Sequence, residues 1–369
     1  MKYLVFIFLF TVLVASCSAQ QDSSATSVES TSSPTDAEAE LQTGIKLTSV
    51  GNFTAAIPHL MNARGHVADE YAAGFDLALC YVATGQFKDA IPVLNGLLGG
   101  PHDPSVYNLL TQAYVGNDQT QLALQSFEKA ATLAPKNEKL YTFVADACMD
   151  SQNYSFGLKV TNRGIENLPQ SARLHYQRGT FFAHLDQLNL ARKDFDLVRK
   201  LEPESDIAYI AQAQENLFAG DTQEAIEAAR AGISNQHETT ALLTILGEAL
   251  VRSGVMPGQP EFAEARTAFE KSAAARPNDA GAQLDLGKLY LMENRLDDAI
   301  THLEIARRLE PGNPSPYSNL ATAYRRRGDN TRAQAMLQTL SDLNRQQAER
   351  IAGAPGDSKT SYVTAGAAK

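Results

Sequence analysis

The chain of 369 residues is 44% apolar and 20% charged, the balance of a globular protein, with room for two or three compact domains or one long array. Lysine and arginine number 32 against 42 acidic residues, a formal charge of −10 with no long basic run, which argues against a nucleic-acid partner held by phosphate neutralisation. Tryptophan is absent and alanine plentiful, so many small helix contacts are expected in place of one large aromatic core.

Residues 1–16 read as a targeting signal. A single Lys2 precedes the apolar run Leu4 to Val14, which is too short to make a comfortable membrane span, and small residues follow it. Val14-Ala15-Ser16-Cys17 resembles the bacterial lipobox. That resemblance implies cleavage before Cys17 and lipidation of Cys17, and Ser18 after it implies the outer membrane, periplasmic face, over the inner one. The alternative is ordinary secretion after cleavage behind Ala19, giving a secreted or periplasmic soluble protein. Each buried methylene of an acyl chain adds about 0.8 kcal/mol, so several chains on Cys17 anchor the protein without a transmembrane helix. No second apolar run of that kind follows. Residues 17–36, mostly Ser, Thr and Gln, read as a disordered tether, reaching about 20–25 Å if fully flexible.

From 37 to 350 the chain repeats. A weak first copy carries Gly44, Leu47, Ala56, Leu60 and Ala63, and Tyr71–Asp103 carries Ala78, Tyr81, Gly85, Ala90 and Leu94. Copies beginning at Pro104, Glu138, Ala172 and Asp206 start 34 residues apart. The copy from Thr240 holds an insertion at 255–260 in its joint. Ala280–Asn313 is the clearest copy, with apolar or small residues at Leu286, Gly287, Tyr290, Ala299, Leu303 and Ala306, the spacing of one face in each of two helices, and Pro311 as the stop. A final copy starts at Pro314, and residues 351–369 read as a flexible tail. Two helices of this size cannot bury their apolar stripe alone, so each copy requires neighbours.

The period, with Leu286-Gly287-x-x-Tyr290, Ala299-x-x-x-Leu303 and Pro311, resembles the tetratricopeptide repeat. The family's tryptophan slot holds Gln283 here and Tyr, Leu or His in other copies. The resemblance implies an all-α fold, a right-handed superhelix of about nine helix-turn-helix repeats, whose first helices line a concave groove that binds segments of partner proteins.

Nothing in the sequence announces chemistry. Cys80 and Cys148 fall in non-adjacent repeats, the histidines are scattered, and no metal-binding, phosphate-binding or nucleophile motif occurs. No cofactor, metal or small-molecule substrate is expected, and the protein is not expected to be an enzyme. The inward slots implied by the resemblance supply the candidate residues. Lys288, Ser318 and Arg325 would hold a carboxylate or backbone group of a partner, Ile207, Ile210, Leu217 and Phe218 would form an apolar docking patch, and Thr322, Asn108 and Gln112 would add polar contacts. The bland alternatives are a solvated polar face for the first set and packing between repeats for the second. The expected role is a non-catalytic scaffold in the cell envelope, in assembly or secretion machinery, with a chaperone-like accessory factor for exported clients as the alternative.

Overall fold

The computed structural model describes residues 34–100 and 103–353. The signal segment, Cys17, the tether up to residue 33 and the tail from 354 lie outside the described residues. Every regular element among the described residues is a helix. In chain order they are α1 (Pro34–Ser49), α2 (Phe53–Ala63), α3 (Glu70–Ala83), α4 (Phe87–Gly96), α5 (Asp103–Gly116) and α6 (Thr120–Leu133). There follow α7 (Glu138–Asp150), α8 (Tyr154–Asn167), α9 (Ala172–His184), α10 (Leu188–Leu201), α11 (Asp206–Ala219) and α12 (Thr222–Ser234). The last are α13 (Thr240–Arg252), α14 (Pro260–Ala275), α15 (Ala280–Met292), α16 (Leu296–Leu309), α17 (Pro314–Arg326) and α18 (Asn330–Gly353). Odd-numbered helices open the repeats and even-numbered helices close them.

The chain divides into two compact units between Asp221 and Thr222. The first holds α1–α11 and the second α12–α18, so the division falls inside the sixth repeat.

The joints follow from backbone chemistry. Each repeat places a residue of positive φ just after its first helix, at Gly51, Gly85, Asp118, Gln152, Asp186, Gly220, Gly254, Asn294 and Gly328. Except after Gly254, the following residue sends its amide back five residues, as from Gln86 to Tyr81 O (2.8 Å), Gln119 to Tyr114 O (2.8 Å) and Arg295 to Tyr290 O (2.9 Å). This is the Schellman closure, which satisfies the last carbonyls of a helix and turns the chain sharply. The other end of the repeat is capped by a side chain. Ser171, Ser205, Thr239 and Asp279 accept the amides of Leu174, Ala208, Leu242 and Ala282 at 3.0–3.2 Å, and each cap opens a first helix.

First and second helices are buried differently. In α15 nine residues are buried, on almost every side, whereas α16 buries only Ala299, Leu303 and Ala306. α5 is likewise buried from Val106 to Val115 apart from Tyr107. α5 packs against α3 and α7 as well as α4 and α6, and α15 against α17 as well as α14 and α16, so little of their surface stays free. Close approach inside a hairpin depends on small residues. A Cβ on Gly287 would lie 2.7 Å from Leu303 Cγ and 3.2 Å from the Leu303 backbone nitrogen. Alanine or threonine occupies the same slot elsewhere, as at Ala78 and Thr111, both fully buried.

Candidate functional site

The part of the first helices that remains polar is best defined in the N-terminal unit, where α5, α7 and α9 pack side by side. Asn108 of α5 is 7% exposed and donates Nδ2 to the Leu140 carbonyl of α7 at 2.8 Å. Gln112, 6% exposed and one turn along, donates Nε2 to Asn108 Oδ1 at 2.6 Å. From the other side, Gln177 of α9 donates Nε2 both to the Thr142 carbonyl (3.1 Å) and to Asp146 Oδ1 (2.7 Å). These bonds span about one repeat of sequence and tie three consecutive first helices together.

Asp146 is the charged group of this row, half-buried, with burial pushing its carboxyl up to about 6 against the Arg173 charge and the Gln177 hydrogen bond. Tyr176 beside it is pushed up to about 12, chiefly by burial. At the end of α9, His184 stacks on Tyr154 with centroids 4.8 Å apart and meets Phe218 of α11 edge-on at 5.3 Å. Burial lowers the pKa of His184, which favours a neutral ring in that stack.

The sequence-based candidates separate into three places. Asn108 and Gln112 stand in the polar row, both buried and both engaged. On α11, Leu217 is 2% and Ile210 9% exposed, while Ile207 and Phe218 are half-buried against the cluster of Ala172, Ala183, Ala191, Phe195, Val198 and Ala211. In the C-terminal unit, Lys288 lies 3.1 Å from Asp285, Ser318 donates to the Ser315 carbonyl (3.0 Å) and Thr322 to the Ser318 carbonyl (3.1 Å). Arg325 is exposed and forms no ion pair with a described residue, unlike Arg327, which pairs with Asp297 at 2.8 Å. Ser318, Thr322 and Arg325 share α17.

Gln177 escaped sequence reasoning, whereas Asp146 occupies an inward slot that the resemblance implies, with no role assigned to it there. The signal for Gln177 was present, because the same slot holds Leu109 and Phe143 in the two preceding repeats. Cys80 and Cys148 are both buried free thiols; Cys80 Sγ lies 3.2 Å from Thr48 Oγ1 and its thiol is pushed up to about 11, chiefly by burial. Among the described residues no group of three His, Cys, Asp or Glu side chains is placed to hold a metal ion. Nor is any described helix long and apolar enough to cross a membrane.

Family models of the tetratricopeptide repeat match residues 47–113 and 291–354, 104–137, and 258–314, together just over half of the chain. The chain belongs to the tetratricopeptide-repeat family. No curated protein sequence matches it. Among solved structures it is similar to a chain of the APC/C hetero-tetramer Cut9-Hcn1, at 14% identity and a TM-score of 0.51, with 86% of this chain and 63% of that one covered. It thus spans less than two thirds of that relative. The human IFIT1 dimer with m7Gppp-AAAA gives 14% identity and a TM-score of 0.50, covering 77% of this chain and 74% of that one. A tetratricopeptide repeat protein from Parabacteroides merdae gives 18% identity and a TM-score of 0.49, covering 69% and 98%. At such identities the likeness concerns the fold. The tetratricopeptide-repeat fold is one that binds other proteins, and its members are generally non-catalytic scaffolds.

Proposed function

We propose that this tetratricopeptide-repeat protein is a non-catalytic scaffold, tethered in the bacterial cell envelope through Cys17, that holds segments of partner proteins along the concave face made by its first helices. The observation that carries the reading is the row from Asn108 to Gln177. Buried polar side chains on consecutive first helices have their backbone-directed bonds made, yet they keep polar atoms for a further partner. Such residues are poor choices for packing alone, since apolar side chains of the same size would bury more favourably. The lipobox-like Val14-Ala15-Ser16-Cys17 supports the anchor and the periplasmic face of the outer membrane, with a place in assembly or secretion machinery.

Fractionation of native cells after mild cross-linking tests both parts. The wild-type chain should sediment with outer membranes and carry a small set of discrete partners, and Cys17→Ala should release it to the soluble fraction. A soluble wild-type chain would remove the anchor. Suppression of aggregation for many clients, with no stable partner, would replace the scaffold by a chaperone-like factor.

A further inference from the structure

The orientations of two glutamines are fixed by backbone carbonyls. The Leu140 carbonyl can only accept, so Asn108 must turn Nδ2 towards it and offer Oδ1 to Gln112, which in turn must spend Nε2 there. The Thr142 carbonyl and the Asp146 carboxylate likewise accept, so Gln177 meets them with Nε2. Each glutamine is left with its carbonyl oxygen, and Gln177 Oε1 is buried with no hydrogen-bond partner while the residue is 7% exposed. Asp146 has used Oδ1 on Gln177, and no described residue donates to its other oxygen. α7 and α9 therefore present Asp146 Oδ2 and Gln177 Oε1 as acceptors with no donor to spare, and Gln112 on α5 adds its Oε1 together with the second N–H of its amide.

A carboxylate oxygen and an amide oxygen with no donor left on either side chain are the complement of a donor-only cation. Water could serve one oxygen, but a guanidinium carries five donors and no acceptor, and its charge matches Asp146. We propose that Asp146, with Gln112 and Gln177, forms a subsite for the cationic side chain of a partner segment, arginine above lysine. This rests on the reading that partner segments lie along the first helices. Burial opposes the charge of Asp146, a local cost of the kind that binding sites carry.

The titratable and charged groups around Asp146 come from two elements. α9 contributes Arg173 and Tyr176, and α7 itself contributes Cys148. α5 brings the uncharged Asn108 and Gln112, and the buried positions of α8 carry no charge. Cation binding requires the ionised carboxylate, so affinity should fall as pH drops from 7 through about 6.

The test uses the full chain against a random peptide library displayed on phage, followed by synthetic copies of the selected peptides. Selected peptides should share one arginine or lysine, and replacing that residue by neutral citrulline or glutamine should weaken binding roughly 10- to 100-fold. Asp146→Asn keeps an oxygen for Gln177, and it should lose the same factor while retaining its helix content. Should Asp146→Asn fail to fold, wild type measured from pH 7 to pH 5 supplies the second arm, with an expected loss of affinity for the arginine peptides and none for their citrulline copies; equal behaviour of the two would overturn the subsite. Peptides that bind wild type and Asp146→Asn equally, or that show no preference for a basic residue, would overturn the subsite and leave the scaffold reading standing. A library that yields no binder at all would overturn both.

Discussion

Tyr317 donates its hydroxyl to the carbonyl of Pro311, six residues earlier, at 2.9 Å. The same bond recurs in three other copies, from Tyr141 to Pro135 (3.0 Å), Gln283 Nε2 to Pro277 (3.0 Å) and His175 Nε2 to Pro169 (3.1 Å). This is the slot that resembles the family's tryptophan position. Tyr, Gln and His share with tryptophan an N–H or O–H donor at the far end of a bulky side chain, which explains why they replace it. The donor stitches the start of each first helix to the loop that ended the preceding repeat.

Removing that donor while keeping the ring should therefore destabilise. Tyr317→Phe should lose about 1 kcal/mol in urea unfolding. His175→Leu should lose more, about 2–4 kcal/mol, because His175 Nδ1 also lies 2.9 Å from Asp194 Oδ1. Burial pushes the Asp194 carboxyl up, but the hydrogen bonds from Arg178 and His175 outweigh it and hold the group below the usual range. Equal, negligible effects at the two sites would show that the stitch contributes nothing.

The joints divide into glycine and non-glycine classes at the same backbone geometry. Gln152 sits at φ 57° and Gly85 at φ 76°, each one residue before the amide that closes its turn. Gln152→Gly should stabilise by about 0.5–1 kcal/mol, since a side chain in the left-handed region is strained by about 1–2 kcal/mol and glycine gives back part of that in chain entropy. Gly85→Val should destabilise by at least 1 kcal/mol, through the backbone alone, because a Cβ there meets nothing within 4 Å. Thermal unfolding of the two variants side by side checks the signs.

Within the eighth repeat, Gly287→Ala forces Leu303 away and should be destabilising by about 1–3 kcal/mol. Leu303→Ala, at a residue with 0% exposure, should be destabilising by about 2–5 kcal/mol on its own. The double variant should be more stable than the sum of the two losses, because the smaller side chain makes room for the added methyl. A double-mutant cycle that is strictly additive would separate the two residues.

Acid should at first stabilise the N-terminal unit. Burial, then the Asp69 charge, raises Asp76 from 3.8 to about 6, as burial raises Asp146. A carboxyl whose folded pKa exceeds its unfolded value favours folding fully below the unfolded pKa, and that contribution is lost as pH rises through the folded one. The unfolding midpoint should rise as pH falls from 7 towards 4, and Asp76→Asn should flatten the rise and gain on the order of 1–2 kcal/mol at pH 7. A midpoint that falls steadily over that range would contradict the assignment.

What the sequence could and could not disclose follows from the range of each interaction. The period, the hairpins and the close packing at Gly287, Tyr290 and Leu303 depend on local spacing, so they were legible. The polar row was not. Whether Asn108 and Gln112 face a groove or a neighbour depends on where the Leu140 carbonyl lies, 32 residues away from Asn108. Ile207, Ile210, Leu217 and Phe218 illustrate the same limit, because an apolar slot on a first helix reads alike whether it docks a partner or packs, and here all four are buried or half-buried. The division at Asp221 left no mark, since the sixth repeat keeps its joint at Gly220 and its small residues.

The proposed scaffold function requires that partner segments lie along the first helices. A photo-reactive side chain placed at Lys139 or Arg173, exposed on first helices, should form adducts with partners in native cells, whereas one at Leu122 or Leu133, exposed on α6, should not. Adducts confined to the α6 positions would contradict it.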